Sequence, residues 1–123
     1  MAKKILIVDD NASNQLLMLD ILQYHGYEIL QAKDGVSGIK LARELKPDLI
    51  ILDVQLPRVD GFTVIKILRS DPLTKEIKMI VATSIAMKGD KEKIIALGVD
   101  DYISKPIDTR QLPVLVEKYI GPA

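Results

Sequence analysis

The chain has 123 residues, 48% hydrophobic and 28% charged, with 17 basic against 17 acidic side chains and so no formal net charge at pH 7. That length and apolar content suit one domain around one well-filled core, and the charge balance offers no global field to draw in nucleic acid or an anionic membrane. The lack of cysteine excludes disulfides and thiolate metal sites, and a single histidine, His25, excludes a His-rich metal centre.

No apolar run approaches the ~20 residues of a membrane span, and the stretch after Lys4 is too short for a signal peptide, so the chain reads as a small cytoplasmic domain. Lys4-Ile5-Leu6-Ile7-Val8 reads as a strand, and its unbroken apolar stretch from Ile5 to Val8 is the pattern of burial on both faces. Asp9 to Asn14 is polar, and Asn11 or Ser13 can cap the helix that follows. Leu17, Met18, Ile21 and Leu22 repeat at helical spacing, and Gly26 is placed to end that helix. Tyr27 to Ala32 reads as a short strand and Asp34-Gly35 as a turn. Val36, Ile39, Ala42 and Leu45 read as one helical face, stopped by Pro47. Leu49 to Leu52 is another buried strand and runs straight into Asp53. Beyond Pro57 and Gly61 comes a helix carrying Val64, Ile65 and Leu68, then a strand over Met79 to Ala82. Ile94, Ile95 and Leu97 suit a short helix closed by Gly98, and Tyr102-Ile103 a short strand. Leu112, Leu115, Val116 and Tyr119 form an amphipathic stripe. Pro113 would remove a hydrogen bond from a helix interior, which predicts a late start for this helix, near Gln111 to Pro113. Five strand–helix units predict an α/β sandwich with a parallel sheet and right-handed crossovers.

Ligands of an open parallel sheet bind beyond the carboxyl ends of its strands. At those ends stand Asp9-Asp10, Asp53, Thr83-Ser84 and Ser104-Lys105-Pro106. Singly, each has an ordinary reading: a helix-capping aspartate, a solvated acidic loop, a surface lysine. Together they gather three carboxylates, several hydroxyls and one ammonium on one edge, with Lys105 held extended by Pro106. Crowded carboxylates resist ionising unless a cation sits among them. An all-oxygen donor set suits a hard ion such as Mg²⁺. A carboxylate beside Mg²⁺ can attack phosphorus and become an aspartyl phosphate, with Lys105 assisting. The Thr83 hydroxyl would bind the new phosphate, a contact confined to the phosphorylated state, as a switch requires.

At these residues the sequence resembles, over essentially its whole length, the receiver domain of two-component response regulators. The acidic pair Asp9-Asp10, the segment Asp53-Val54-Gln55-Leu56-Pro57-Arg58-Val59-Asp60-Gly61, Thr83, Tyr102 and Lys105-Pro106 carry the resemblance. Thr83 and Lys105 are 22 residues apart, as in the family. Ala86-Met87-Lys88-Gly89-Asp90 and Tyr102-Ile103-Ser104-Lys105-Pro106-Ile107 look like single-domain, CheY-like regulators of the DivK type. The resemblance implies a flavodoxin-like (βα)5 doubly wound three-layer sandwich, its five parallel strands in the order 2-1-3-4-5. It implies that Asp53 is the phospho-acceptor, served by a histidine kinase or a histidine phosphotransfer protein. Mg²⁺, replaceable by Mn²⁺, would be held by Asp10, Asp53 and the backbone carbonyl of Gln55, with Asp9 acting through water. Lys105 would contact the phosphoryl group, Thr83 and Tyr102 would switch, and the Lys105-Pro106 bond would be cis. The face of the fourth helix, fifth strand and fifth helix would then change its affinity for a partner protein, or for a second copy in a phosphorylation-dependent dimer.

Ile85 is apolar where many family members carry a polar or acidic group, which predicts restricted access for attacking water and a long-lived phosphoryl state. His25, next to Gly26, reads as a helix-end residue rather than a catalytic one. Lys88, Lys91 and Lys93 read as a solvated helix face, and Tyr119 as lying at the edge of the core. Asp9-Asp10 argues against a flavin phosphate loop, and Gln55 stands where an aspartate-nucleophile phosphatase would want a second acid. One domain is therefore expected over residues 1–123, with no output domain and no turnover of an external substrate. The other reading is a receiver-like interaction module that works without phosphorylation.

Overall fold

The computed structural model describes residues 2–84 and 90–123, with Asp90 and Lys91 described by their backbone alone; Ile85 and Ala86-Met87-Lys88-Gly89 lie outside the described residues. Strand and helix alternate: β1 (Lys4–Val8), α1 (Ala12–Tyr24), β2 (Glu28–Ala32), α2 (Gly35–Leu45), β3 (Leu49–Leu52), α3 (Gly61–Ser70), β4 (Lys78–Thr83), α4 (Asp90–Ala96), β5 (Asp101–Ser104) and α5 (Gln111–Ile120). The strands form one parallel sheet in the order β2-β1-β3-β4-β5. This is the flavodoxin-like arrangement that the resemblance implies.

Strand side chains alternate between two helical layers. Leu6, Val8, Ile50, Leu52, Met79 and Val81 pack with Ala42 of α2, Val64, Ile65 and Leu68 of α3, and Ile94 of α4. Ile5, Ile7, Leu49, Ile51, Ile80 and Ala82 pack with Met18 and Leu22 of α1 and Leu112 and Val116 of α5. The continuous apolar runs are thus strands covered on both faces.

The helices bury faces partly different from those the apolar spacing predicts. In α1 the inward stripe is Gln15, Met18 and Leu22, while Leu17 is exposed. In α2 it is Gly35, Gly38 and Ala42, with Val36 and Leu45 outside. The cause is proximity: a Cβ on Gly38 would stand 2.9 Å from Val8 Cγ2, so only the smallest residues can face the sheet there. In α4, Ile94 is buried and Ile95 exposed. Caps define the helix starts: Asn11, Asp34 and Asp60 accept from the N–H groups of Asn14, Ser37 and Thr63. Gly26, at φ +93, turns the chain out of α1. Pro113 sits in the first turn of α5, where its missing N–H has no intrahelical partner to lose. The Asp108 carboxylate accepts from the Arg110 and Gln111 N–H groups just ahead of that turn.

Candidate active site at the carboxyl edge of the sheet

β1 and β3 end in register, Val8 opposite Leu52, so the next residues, Asp9 and Asp53, leave the sheet side by side. The Asp53 N–H donates to the Val8 carbonyl at 3.0 Å. One strand further on, Thr83 lies opposite Ser104, and the Lys105 N–H donates to the Thr83 carbonyl at 3.0 Å. The Lys105-Pro106 peptide is cis. The Lys105 Nζ lies 2.7 Å from Asp9 Oδ2 and 2.8 Å from Asp53 Oδ2. Both carboxylates are buried, Asp9 at 1% and Asp53 at 5% exposure.

The other oxygen of each carboxylate is held by its own turn. Asp9 Oδ1 accepts from the Asn11 N–H and Asp53 Oδ1 from the Gln55 N–H, each at 2.9 Å. One oxygen of each acid is thereby left aimed at the ammonium. Burial pulls the Lys105 pKa down, but hydrogen bonds and charge from Asp53 and Asp9 outweigh it and leave the ammonium above the ordinary lysine value.

Asp10 is exposed beside this pair. One carboxylate oxygen from each of Asp9, Asp10 and Asp53 lies within 4.8 Å of the others. Three carboxylates and one ammonium leave two negative charges, the count a divalent cation balances. With oxygens as the only donors, the set fits Mg²⁺ rather than a softer ion. The cleft above is bordered by Asp10, Asn14, Asp53, Gln55, Ser84 and Lys105. Ser84 Oγ donates to Gln55 Oε1 at 2.7 Å and closes one side of it. Thr83 is fully buried behind the cleft, and Tyr102 is half-buried against the α2–α3–α4 core.

Gly61, the first residue of α3, brings that helix against the acceptor loop. A Cβ there would lie 2.2 Å from Val54 Cα and 2.8 Å from the Asp53 carbonyl oxygen. The residue that sequence reasoning missed is Gln15. It is 6% exposed, and its amide meets the carbonyls of Ile7, Asp9 and Ala32 beneath the site. The signal was available, since Gln15 precedes Met18 and Leu22 by about one and two helical turns on the buried face.

This edge, with two buried carboxylates on one ammonium and a third acid beside them, belongs to a known class of fold and site. Residues 5–117 match the response regulator receiver domain family, and the chain belongs to that family. It is a two-component, CheY-like receiver domain. Among its relatives is the polar-differentiation response regulator DivK of Brucella anthropi, 42% identical over the full length of both chains; DivK of Brucella abortus shows the same identity and coverage. Among solved structures it is similar to the receiver domain of the sensor histidine kinase PA1611 of Pseudomonas aeruginosa, described with a magnesium ion coordinated in the active-site cleft. That match has TM-score 0.90 and 29% identity, covering 98% of this chain and 99% of that one. It is also similar to the chemotaxis protein CheY4 of Vibrio cholerae, at TM-score 0.90 and 28% identity, covering 97% and 99%. The chain is thus a receiver domain of the DivK-like kind, and its family is not one of substrate-turnover enzymes. No helix among the described residues is long and apolar enough to cross a membrane.

Proposed function

We propose that this chain is a cytoplasmic phosphorelay receiver in which Asp53 accepts a phosphoryl group from the phosphohistidine of a sensor histidine kinase or a histidine phosphotransfer protein. The observation that carries this reading is the Lys105 ammonium held between the buried Asp9 and Asp53 carboxylates, with Asp53 also bordering the open cleft. An Asp53 oxygen attacks phosphorus, the P–N bond to the donor imidazole breaks, and its electron pair leaves with the imidazole nitrogen. Water later reverses the modification by cleaving the acyl phosphate and returning the carboxylate. Asp10, Asp53 and the Gln55 carbonyl, with Asp9 through water, would hold Mg²⁺ or Mn²⁺, which when bound would supply charge neutralisation for the transferring oxygens. Lys105 stabilises the same oxygens from the β5 side. Thr83 then binds the new phosphoryl group, Tyr102 turns inward behind it, and the α4-β5-α5 face changes its affinity for a partner protein, as a monomer or a phosphorylation-dependent dimer.

The test is the intact mass of wild type and Asp53→Asn after incubation with acetyl phosphate, with and without Mg²⁺, alongside beryllofluoride binding. A single phosphoryl gain that needs both Mg²⁺ and Asp53 is expected. No gain and no beryllofluoride binding would instead identify an interaction module that works without phosphorylation.

A further inference from the structure

Gln15 is a buried polar side chain that the phosphoryl chemistry leaves unused. It lies in the first turn of α1, and its Nε2 is 2.7 Å from the Ala32 carbonyl, 3.0 Å from the Asp9 carbonyl and 3.2 Å from the Ile7 carbonyl. Only the amide nitrogen can serve three acceptors, and its two hydrogens are shared among them. The amide is also fixed from its other side, where Oε1 accepts from Gln31 Nε2 of β2 at 3.1 Å.

These carbonyls cluster where β1 and β2 end. The Asp9 N–H donates to the same Ala32 carbonyl at 3.1 Å. The Asp9 backbone is thus gripped at both groups: its N–H by the end of β2, its carbonyl by Gln15. That carbonyl belongs to the Asp9–Asp10 peptide, whose plane sets where Asp10 leaves the sheet. Among the described residues no side chain holds the Asp10 carboxylate, so the peptide plane is what places it beside Asp9 and Asp53.

We propose that Gln15 is a positioning residue for the divalent-cation site, holding the Asp9–Asp10 peptide so that the three carboxylates converge. This rests on the Mg²⁺-dependent reading of the site. Partners that orient metal ligands from one shell out typically change affinity by roughly 10- to 100-fold when removed.

The experiment is calorimetric titration of Mg²⁺ into wild type, Gln15→Met, Gln31→Met, Asp53→Asn and Tyr119→Phe, each well below its melting temperature. Gln15→Met, similar in length but without donors, should weaken Mg²⁺ by about tenfold. Gln31→Met removes only the bond that orients the amide and should weaken it by less. Tyr119→Phe, altered at the opposite edge of the sheet, should lower stability and leave affinity alone, separating positioning from general destabilisation. Affinity in Gln15→Met indistinguishable from wild type overturns the proposal; should that variant not fold, unchanged affinity in Gln31→Met overturns it. A wild type that takes up no Mg²⁺ overturns the phospho-acceptor reading itself, a distinct failure.

Discussion

Replacing Lys105 by methionine removes the ammonium while keeping most of its volume. Asp9 and Asp53, 1% and 5% exposed, then face each other with oxygens within 4.8 Å and no cation between them. At an effective dielectric of about 20, two charges at that distance repel by about 3 kcal/mol. Removing one partner of a buried ion pair costs about 3–5 kcal/mol. The Asn11 and Gln55 N–H groups still hold one oxygen of each acid, which favours the low end. Lys105→Met should therefore lose about 3 kcal/mol in urea denaturation at neutral pH with chelator present. Added Mg²⁺ should return more stability to the variant than to wild type, because it takes the place of the missing positive charge. Alkaline pH supplies an independent check. The folded-state pKa of Lys105 lies above its ordinary 10.5, so its contribution is full below that value and is lost as pH rises through the higher one. The gap between wild type and variant should stay constant through neutral pH and close only in strong alkali. A loss below about 1 kcal/mol, the range of an exposed pair, with no preferential rescue by Mg²⁺, would refute the reasoning.

Two further perturbations test the frame around the site. Gly61→Ala places a Cβ 2.2 Å from Val54 Cα, a backbone collision that should lower stability by about 1–3 kcal/mol in urea denaturation and slow phosphoryl gain from acetyl phosphate. At the opposite edge, the Tyr119 hydroxyl donates to Asp101 Oδ2 at 2.6 Å and to the Asp100 carbonyl at 3.1 Å. The Asp101 hydrogen bond, then burial and the nearby acidic charge, push its pKa up from 10.0 to about 12. Ultraviolet titration should show a late-ionising phenol that vanishes in Tyr119→Phe. The stability this phenol contributes should be full below pH 10.0 and lost as pH climbs to about 12.

The strands were legible because three of them are covered on both faces, so the covering writes an unbroken apolar run into the sequence. The acidic set was legible for a related reason: once parallel strands end in register, whatever follows them shares an edge. The helix faces were less so. A period of 3.6 identifies a stripe of large apolar residues, but α2 meets the sheet through Gly35, Gly38 and Ala42, whose smallness is the adaptation to close approach. Gln15 was missed for the converse reason. An amide among apolar residues reads as surface until the fold shows three strand-end carbonyls waiting beneath it. Arg69 was similarly silent: its guanidinium gathers the carbonyls of Gly98, Lys75 and Ile77 and the Asp100 carboxylate, all from segments distant in sequence or folded back.

The two ends of β5 are secured by different chemistry, and this bears on how a change at Asp53 would spread. β5 is an edge strand, paired on one side with β4. At its start, Asp100 is tied to Arg69 and the Met79 N–H, and Asp101 to Tyr119. None of those contacts involves the acidic site. At its end, Lys105 is bound directly to Asp53 and Asp9. Phosphorylation would turn a single carboxylate charge into a larger, more extended anion beside that ammonium. The pull would act on the Thr83–Ser104 end of the β4–β5 ladder while the Asp100 end stays clamped. A strand fixed at one end and loaded at the other pivots rather than translates, so on the proposed reading the displacement would be greatest at the Thr83 and Lys105 end of β5.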